Sequence, residues 1–200
     1  MSITKKSPAE IEQLAVAGSI LAKILQSLRT EAVAGATTLD IDDRAMELVA
    51  EYGVEPVLLG YHPGFAAYPY PAAVCVSVND CVQHGIPSES VVLQDGDVVD
   101  IDMSIGYEGR VVDAGLTVGV GTVSAADLKL IDVTREALAY GIKAAQPGNQ
   151  IGDISAAIES FVRSRGCAPV EVLCGHGVGY AVHEEPNIPN VGRSGTGPKI

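Results

Sequence analysis

The order of elements predicts an α+β domain in which helices cover one face of a largely antiparallel sheet. Three observations carry that reading. Two apolar-periodic segments with helix-start signals open the chain, β-branched runs divided by turn residues fill its middle, and two more helical segments precede a last strand-like stretch. This differs from the regular strand-helix alternation of a parallel sheet. Of the 200 residues, 47% are hydrophobic and 19% charged, which is too apolar for disorder and enough for one core. A single domain over residues 1–200 is therefore expected.

Each element has its own signal. Ser7-Pro8-Ala9-Glu10 places an N-cap serine, a proline at the first helical position and a glutamate three residues on, the pattern of a capping box. Ile11, Leu14, Ala15, Ala17, Ile20, Leu21, Ile24, Leu25 and Leu28 then recur at helical spacing. Thr38 opens a second helix carrying Ile41, Ala45, Met46, Leu48 and Val49, and Gly53 closes it. Residues 60–73 are dense in Gly, Pro and Tyr and predict a folded loop. Strands are expected at 74–78, 98–105 and 110–120, the last two joined by the turn Gly106-Tyr107-Glu108-Gly109. A third helix starts near Ser124 and carries Leu128, Ile131, Ala137, Leu138 and Ile142 on its apolar face. A fourth runs over 153–164, and 169–173 reads as a strand leading into Gly175-His176-Gly177.

Charge narrows the partners. Lys and Arg number 13 against 25 Asp and Glu, and the net charge of −12 opposes interfaces that neutralise phosphate or anionic lipid. Nucleic acid and membrane surfaces are thereby set aside. The amino terminus is polar and lacks a signal-peptide core, and the apolar stretches at 54–58 and 111–120 fall short of a membrane span, so a cytoplasmic location is expected. Cys75, Cys81, Cys167 and Cys174 form no C-x-x-C pair and read as reduced thiols.

The chemistry concentrates at the predicted hairpin. Symmetry about residues 107 and 108 would put Asp102 opposite Asp113, and like charges directly opposed across strands are destabilising. Either the polar face that Asp102 shares with Asp100 and Ser104 meets water, or both aspartates hold a divalent cation. Three of the four histidines, His84, His176 and His183, stand in glycine-flanked or loop settings, and His62 lies in the tyrosine-rich loop. Histidine with carboxylate suits Zn, Mn, Fe or Co. A packed loop histidine is the alternative for each, and Glu184 and Glu185 are either further carboxylate donors or exposed turn residues.

Several blocks occur in a telling order: 72–79 followed by His84-Gly85-Ile86-Pro87, Asp97 through Asp102 with Asp113, Cys174-Gly175-His176-Gly177-Val178-Gly179, and His183-Glu184-Glu185-Pro186. Together they resemble type I methionine aminopeptidases, metallopeptidases of the pita-bread (creatinase/aminopeptidase-like) fold. The resemblance runs from Ser7 to the carboxyl end. Prolidase-like and aminopeptidase-P-like relatives share the fold and metal ligands but typically carry an extra amino-terminal domain.

The resemblance implies metal-dependent removal of the initiator methionine from nascent proteins, a metal-activated hydroxide attacking the first peptide bond. Asp102, Asp113 and His176 become ligands of two divalent ions (Co, Mn, Fe or Zn). His84 and His183 become the catalytic, substrate-facing histidines, with His183 at the developing oxyanion and His84 near the scissile nitrogen. Tyr70 and Cys75 line the methionine pocket, which Val182 loosens where the family has an aromatic residue. The implied partner is the N-terminal peptide of a nascent protein, with the ribosome as a candidate.

Two more glutamate ligands, one in an Ile-Glu-Pro motif, are expected on strands beyond Ile200, and no acidic residue follows Glu185. The expectation is thus a chain with its last strands missing, an inactive or impaired fragment with an open sheet edge. Two other readings stay open: a non-catalytic peptide- or ribosome-binding module, and an X-Pro peptidase of the same fold.

Overall fold

The computed structural model describes residues 3–64 and 66–200, and these group into two compact units. Phe65, inside the predicted loop 60–73, lies outside the described residues.

The amino-terminal unit comprises Lys5–Ser124 with Val178–Val182. Helix α1 (Pro8–Glu31) begins at the predicted capping box, the Ser7 amide donating to Glu10 Oε2 at 2.8 Å. Helix α2 (Thr38–Tyr52) has Thr37 as its cap, with the Thr37 amide donating to Asp40 Oδ2 at 2.7 Å, and ends at Gly53 in a left-handed conformation. Strands β1 (Glu55–Pro56), β2 (Cys75–Val78), β3 (Val98–Tyr107) and β4 (Arg110–Gly119) form one antiparallel sheet with β3 at its centre. Alternation along β3 sends Val99, Ile101, Met103 and Ile105 to one face, all fully buried. The helices meet that face with Ala17, Leu21, Ile24, Leu28, Ile41 and Ala45. Ile11, Ala15 and Met46, which periodicity placed on the apolar stripes, are exposed. By length and composition alone α1 is apolar enough to cross a bilayer, but its Leu21, Ile24, Leu25 and Leu28 are buried in this core.

The hairpin corrects the expected register. Tyr107 pairs with Arg110, Ser104 with Asp113 and Asp102 with Gly115, so Asp102 does not face Asp113. The reason is the turn: Glu108 (φ 48°) and Gly109 (φ 74°) both adopt positive φ and form the two-residue connection themselves. Gly106 is therefore a strand residue rather than a turn residue.

The carboxyl-terminal unit comprises Ala125–Gly177 with His183–Ile200 and, at the start of the chain, residues 3–4. Helices α3 (Ala125–Ala144) and α4 (Ile151–Ser164) pack through Val133, Ala137, Phe161 and Val162, and the Tyr140 and Phe161 rings stack at 4.5 Å. The face of α3 differs from expectation. Val133, Ala137 and Gly141 are buried, whereas Leu128, Leu138 and Ile142 are 51%, 61% and 62% exposed. Small residues win the contact because they allow close approach: a Cβ on Gly141 would lie 2.9 Å from Ile158 Cδ1. No strand forms at 169–173, where Val172 is almost wholly exposed and finds no ladder to join. Strand β5 (Cys174–Gly177) instead contains the histidine motif, and it pairs antiparallel with β6 (Glu184–Pro189) with an irregularity between His176 and Gly177. Glu184 and Glu185 are thus strand residues.

Candidate functional site

In the amino-terminal unit, the polar face of the hairpin gathers carboxylates. Asp100, Asp102 and Ser104 of β3 share it with Asp113, Gly115 and Thr117 of β4. The register correction moves the pairing by two residues, an even step, so Asp102 and Asp113 still share a face as diagonal neighbours, with side chains about 7 Å apart. Gly115 stands directly across from Asp102 and leaves the space beside its carboxylate open. Two hydroxyls engage the flanking acids: Ser104 Oγ donates to Asp113 Oδ1 at 2.7 Å, and Thr117 Oγ1 to Asp100 Oδ1 at 2.8 Å.

Burial, then the charges of Asp113 and Asp100, push the Asp102 carboxyl up to about 7. Burial raises Asp100 as well, against the Thr117 hydrogen bond. Negative charge is concentrated on this face, and hard carboxylate oxygens there fit a divalent cation. Among the described residues no three His, Cys, Asp or Glu side chains gather as a ready cage, so the pair offers part of a ligand shell.

Cys75 sits opposite Asp102 across β2 and β3. Burial pushes its thiol up to about 12, with Tyr70 opposing and Asp102 adding to the effect. The Tyr70 hydroxyl, 2.9 Å from the Gly85 carbonyl oxygen and 3.3 Å from that of Val74, donates between them and is itself raised by burial and by Cys75 beside it. Gly85 presses so closely on β2 that a Cβ would lie 2.2 Å from the Val76 carbonyl oxygen, while the Val76 amide donates to Gly85 O at 2.9 Å. His84, just before it, is exposed and takes a left-handed backbone (φ 56°), a conformation uncommon outside glycine. The structure therefore brings Tyr70, Cys75, the His84 loop and both aspartates into one unit.

Asp42 was not anticipated. Buried on α2, it accepts the amides of Ala73 (2.8 Å) and Val74 (3.2 Å) and anchors the chain as it enters β2 beside Cys75. Its carboxyl is raised by burial and lowered by those two bonds. An acid three residues before Ala45, on the apolar stripe of α2, was the available signal.

In the carboxyl-terminal unit His176 and His183 meet. His176, on β5, and His183, just before β6, have ring centroids 4.3 Å apart and inclined at 51°, and a His176 ring nitrogen lies 3.1 Å from the Gly177 carbonyl oxygen. Val182, at the expected pocket position, is buried. His62 has a ring nitrogen 3.0 Å from the Ala66 carbonyl oxygen, within its own loop.

The chain is similar to known proteins over nearly its whole length. The model of metallopeptidase family M24 matches residues 12–199. The chain is 39% identical to methionine aminopeptidase 1 of Mycobacterium tuberculosis, over 99% of this chain and 74% of that protein, and 40% identical to the methionine aminopeptidase of Clostridium acetobutylicum, over 98% and 76%. The crystal structure of methionine aminopeptidase from Thermotoga maritima superposes with a TM-score of 0.94 at 38% identity, covering 100% of this chain and 78% of that one. The fold is the α+β pita-bread fold, and the family uses divalent metal. Matched by that family's model over residues 12–199 and about 39% identical to its methionine aminopeptidases over nearly its whole length, this chain belongs to metallopeptidase family M24.

Proposed function

We propose that this chain is a methionyl aminopeptidase that hydrolyses the first peptide bond of nascent proteins and releases the initiator methionine. The observation that carries this reading is the crowded aspartate face of β3 and β4, in a chain so similar to enzymes of that name. Asp102, Asp113 and His176 are the residues that would hold two divalent ions, of Co, Mn, Fe or Zn. Bound there, such ions supply Lewis acidity and lower the pKa of water.

The chain's own residues do the rest. His84 and His183 present exposed imidazoles that donate hydrogen bonds to the substrate's amide nitrogen side and carbonyl oxygen respectively. Tyr70 holds the carbonyl of Gly85 and so fixes the His84 loop. Cys75, protonated at neutral pH, offers a soft and uncharged wall suited to a thioether. A cytoplasmic location, in keeping with four free cysteines, and encounter with N-terminal peptides at the ribosome accompany this reading. Fractionation and cosedimentation with ribosomes check both.

The decisive experiment follows methionine release from Met-Ala-Ser together with bound metal. Asp102→Asn and Asp113→Asn are each expected to lower turnover about 100-fold or more and to reduce metal content. Unchanged activity in both overturns the assignment. His84→Ala is expected to lower turnover while metal stays bound. Faster cleavage of an X-Pro peptide, or binding of Met-Ala-Ser without hydrolysis, would replace this function with another.

A further inference from the structure

The stretch Val178–Val182 carries the chain from His176 to His183, yet it belongs to the amino-terminal unit. Five residues of such an excursion need contacts of their own to stay in place. Two are evident. The Val111 amide, at the start of β4, donates to the Gly179 carbonyl oxygen at 2.8 Å. The Tyr180 hydroxyl donates to Glu10 Oε1 at 2.6 Å.

Glu10 divides its carboxylate between two tasks. Oε2 completes the capping box of α1 with Ser7, while Oε1 accepts both Tyr180 and Arg110 Nη2, the latter also at 2.6 Å. Arg110 adds a second grip: its guanidinium lies 4.7 Å from the centroid of the Tyr180 ring, as does Lys6 Nζ. Arg110 Nε is buried without a hydrogen-bond acceptor, as fits a guanidinium engaged by its face with an aromatic ring as well as by its edge with a carboxylate. Glu10 is held well below the ordinary carboxylate range, to about 2, first by Tyr180 and then by Ser7, so it is ionised at any working pH.

We infer that Tyr180 is a positioning residue for the peptidase reaction, latching the 178–182 segment through Glu10 and Arg110 so that His183 enters β6 from a fixed anchor. The inference rests on the reading of His183 as a substrate-facing histidine. The physical point is reach: a residue three positions from a pinned aromatic ring explores far less space than one on a free loop, and misplacement of a reacting group by an ångström costs heavily in rate.

The test uses Tyr180→Phe, which keeps the ring over Lys6 and Arg110 and removes the hydroxyl, and Tyr180→Ala, which removes both. The first readouts need no turnover: hydrogen exchange at the Val111 amide, and the NMR resonance of the His183 ring. Faster exchange at Val111, unchanged exchange at Ile101 in the core, and a shifted or broadened His183 signal are expected, larger in Tyr180→Ala than in Tyr180→Phe. On Met-Ala-Ser, kcat should fall about tenfold in Tyr180→Ala with KM changed by less than about twofold. Tyr180→Phe should recover part of that loss. An unmoved His183 resonance in both variants overturns the latch, and so does a kcat equal to that of the unsubstituted chain. If the unsubstituted chain releases no methionine, the proposed function fails, while the resonance and exchange readouts still decide the latch.

Discussion

Helices α1 and α3 are both long and both carry leucines and isoleucines at helical spacing, yet they end in opposite circumstances. In the amino-terminal unit, α1 lays Leu21, Ile24, Leu25 and Leu28 against the apolar face of the hairpin, and all are buried. In the carboxyl-terminal unit, α3 turns Val133, Ala137 and Gly141 toward α4, and Leu128, Leu138 and Ile142 remain more than half exposed. Periodicity states that a helix has an apolar stripe; it does not state that a partner is present to cover it. A sheet offers α1 a broad surface, whereas α4 offers α3 a narrow ridge that only small residues can approach.

That contrast is easiest to break at the buried helix. Ile24→Ala should cost about 2–5 kcal/mol in urea unfolding, because it empties a fully buried site, while Leu138→Ala should stay within about 0.5 kcal/mol. Equal losses would mean that the exposed stripe of α3 is covered in solution. Gly141→Leu comes next. It drives a side chain into Ile158 and should cost about 1–3 kcal/mol, read as weaker protection of α3 and α4 amides with the β3 amides unaffected.

The smallest effects are those of pH on the amino-terminal unit, and they have opposite signs. Glu10 is lowered from 4.5 to about 2 in the folded chain, so its contribution is full above about 4.5 and is lost as pH falls toward 2. Glu10→Gln should therefore converge on the unsubstituted chain near pH 2. Asp102 is raised from 3.8 to about 7, so the metal-free protein should lose stability as pH rises across that window and level off above it. Asp102→Asn should flatten this slope in thermal melts under chelator. A slope that survives the substitution would place its origin elsewhere.

Much of the candidate site could be proposed from the sequence because its residues lie in contiguous motifs. Asp102, Asp113, His84, His176 and His183 each stand in a short pattern whose turn or strand context could be read directly. Asp102 and Asp113 share a face despite the error of register, because a slip of two residues keeps every side chain on its face. Asp42 and Tyr180 were not legible in the same way. Asp42 acts on backbone amides 31 and 32 residues away, and Tyr180 on a carboxylate 170 residues away, and no local pattern encodes such partners.

By itself the sequence determined the elements whose causes are local: the Ser7 and Glu10 capping box, the stop at Gly53, and the two-sided alternation of β3 that puts Asp100 and Asp102 on one face. Only the tertiary structure decided the rest. The hairpin register followed from positive φ at Glu108 and Gly109 in a folded turn, where the symmetric glycines of the sequence pointed one step away. The buried side of α3 followed from how near α4 comes, and β5 and β6 exist only because each supplies the other's hydrogen bonds. Local rules fix what a segment can do alone, and long-range packing chooses among the faces, registers and partners that those rules leave equal.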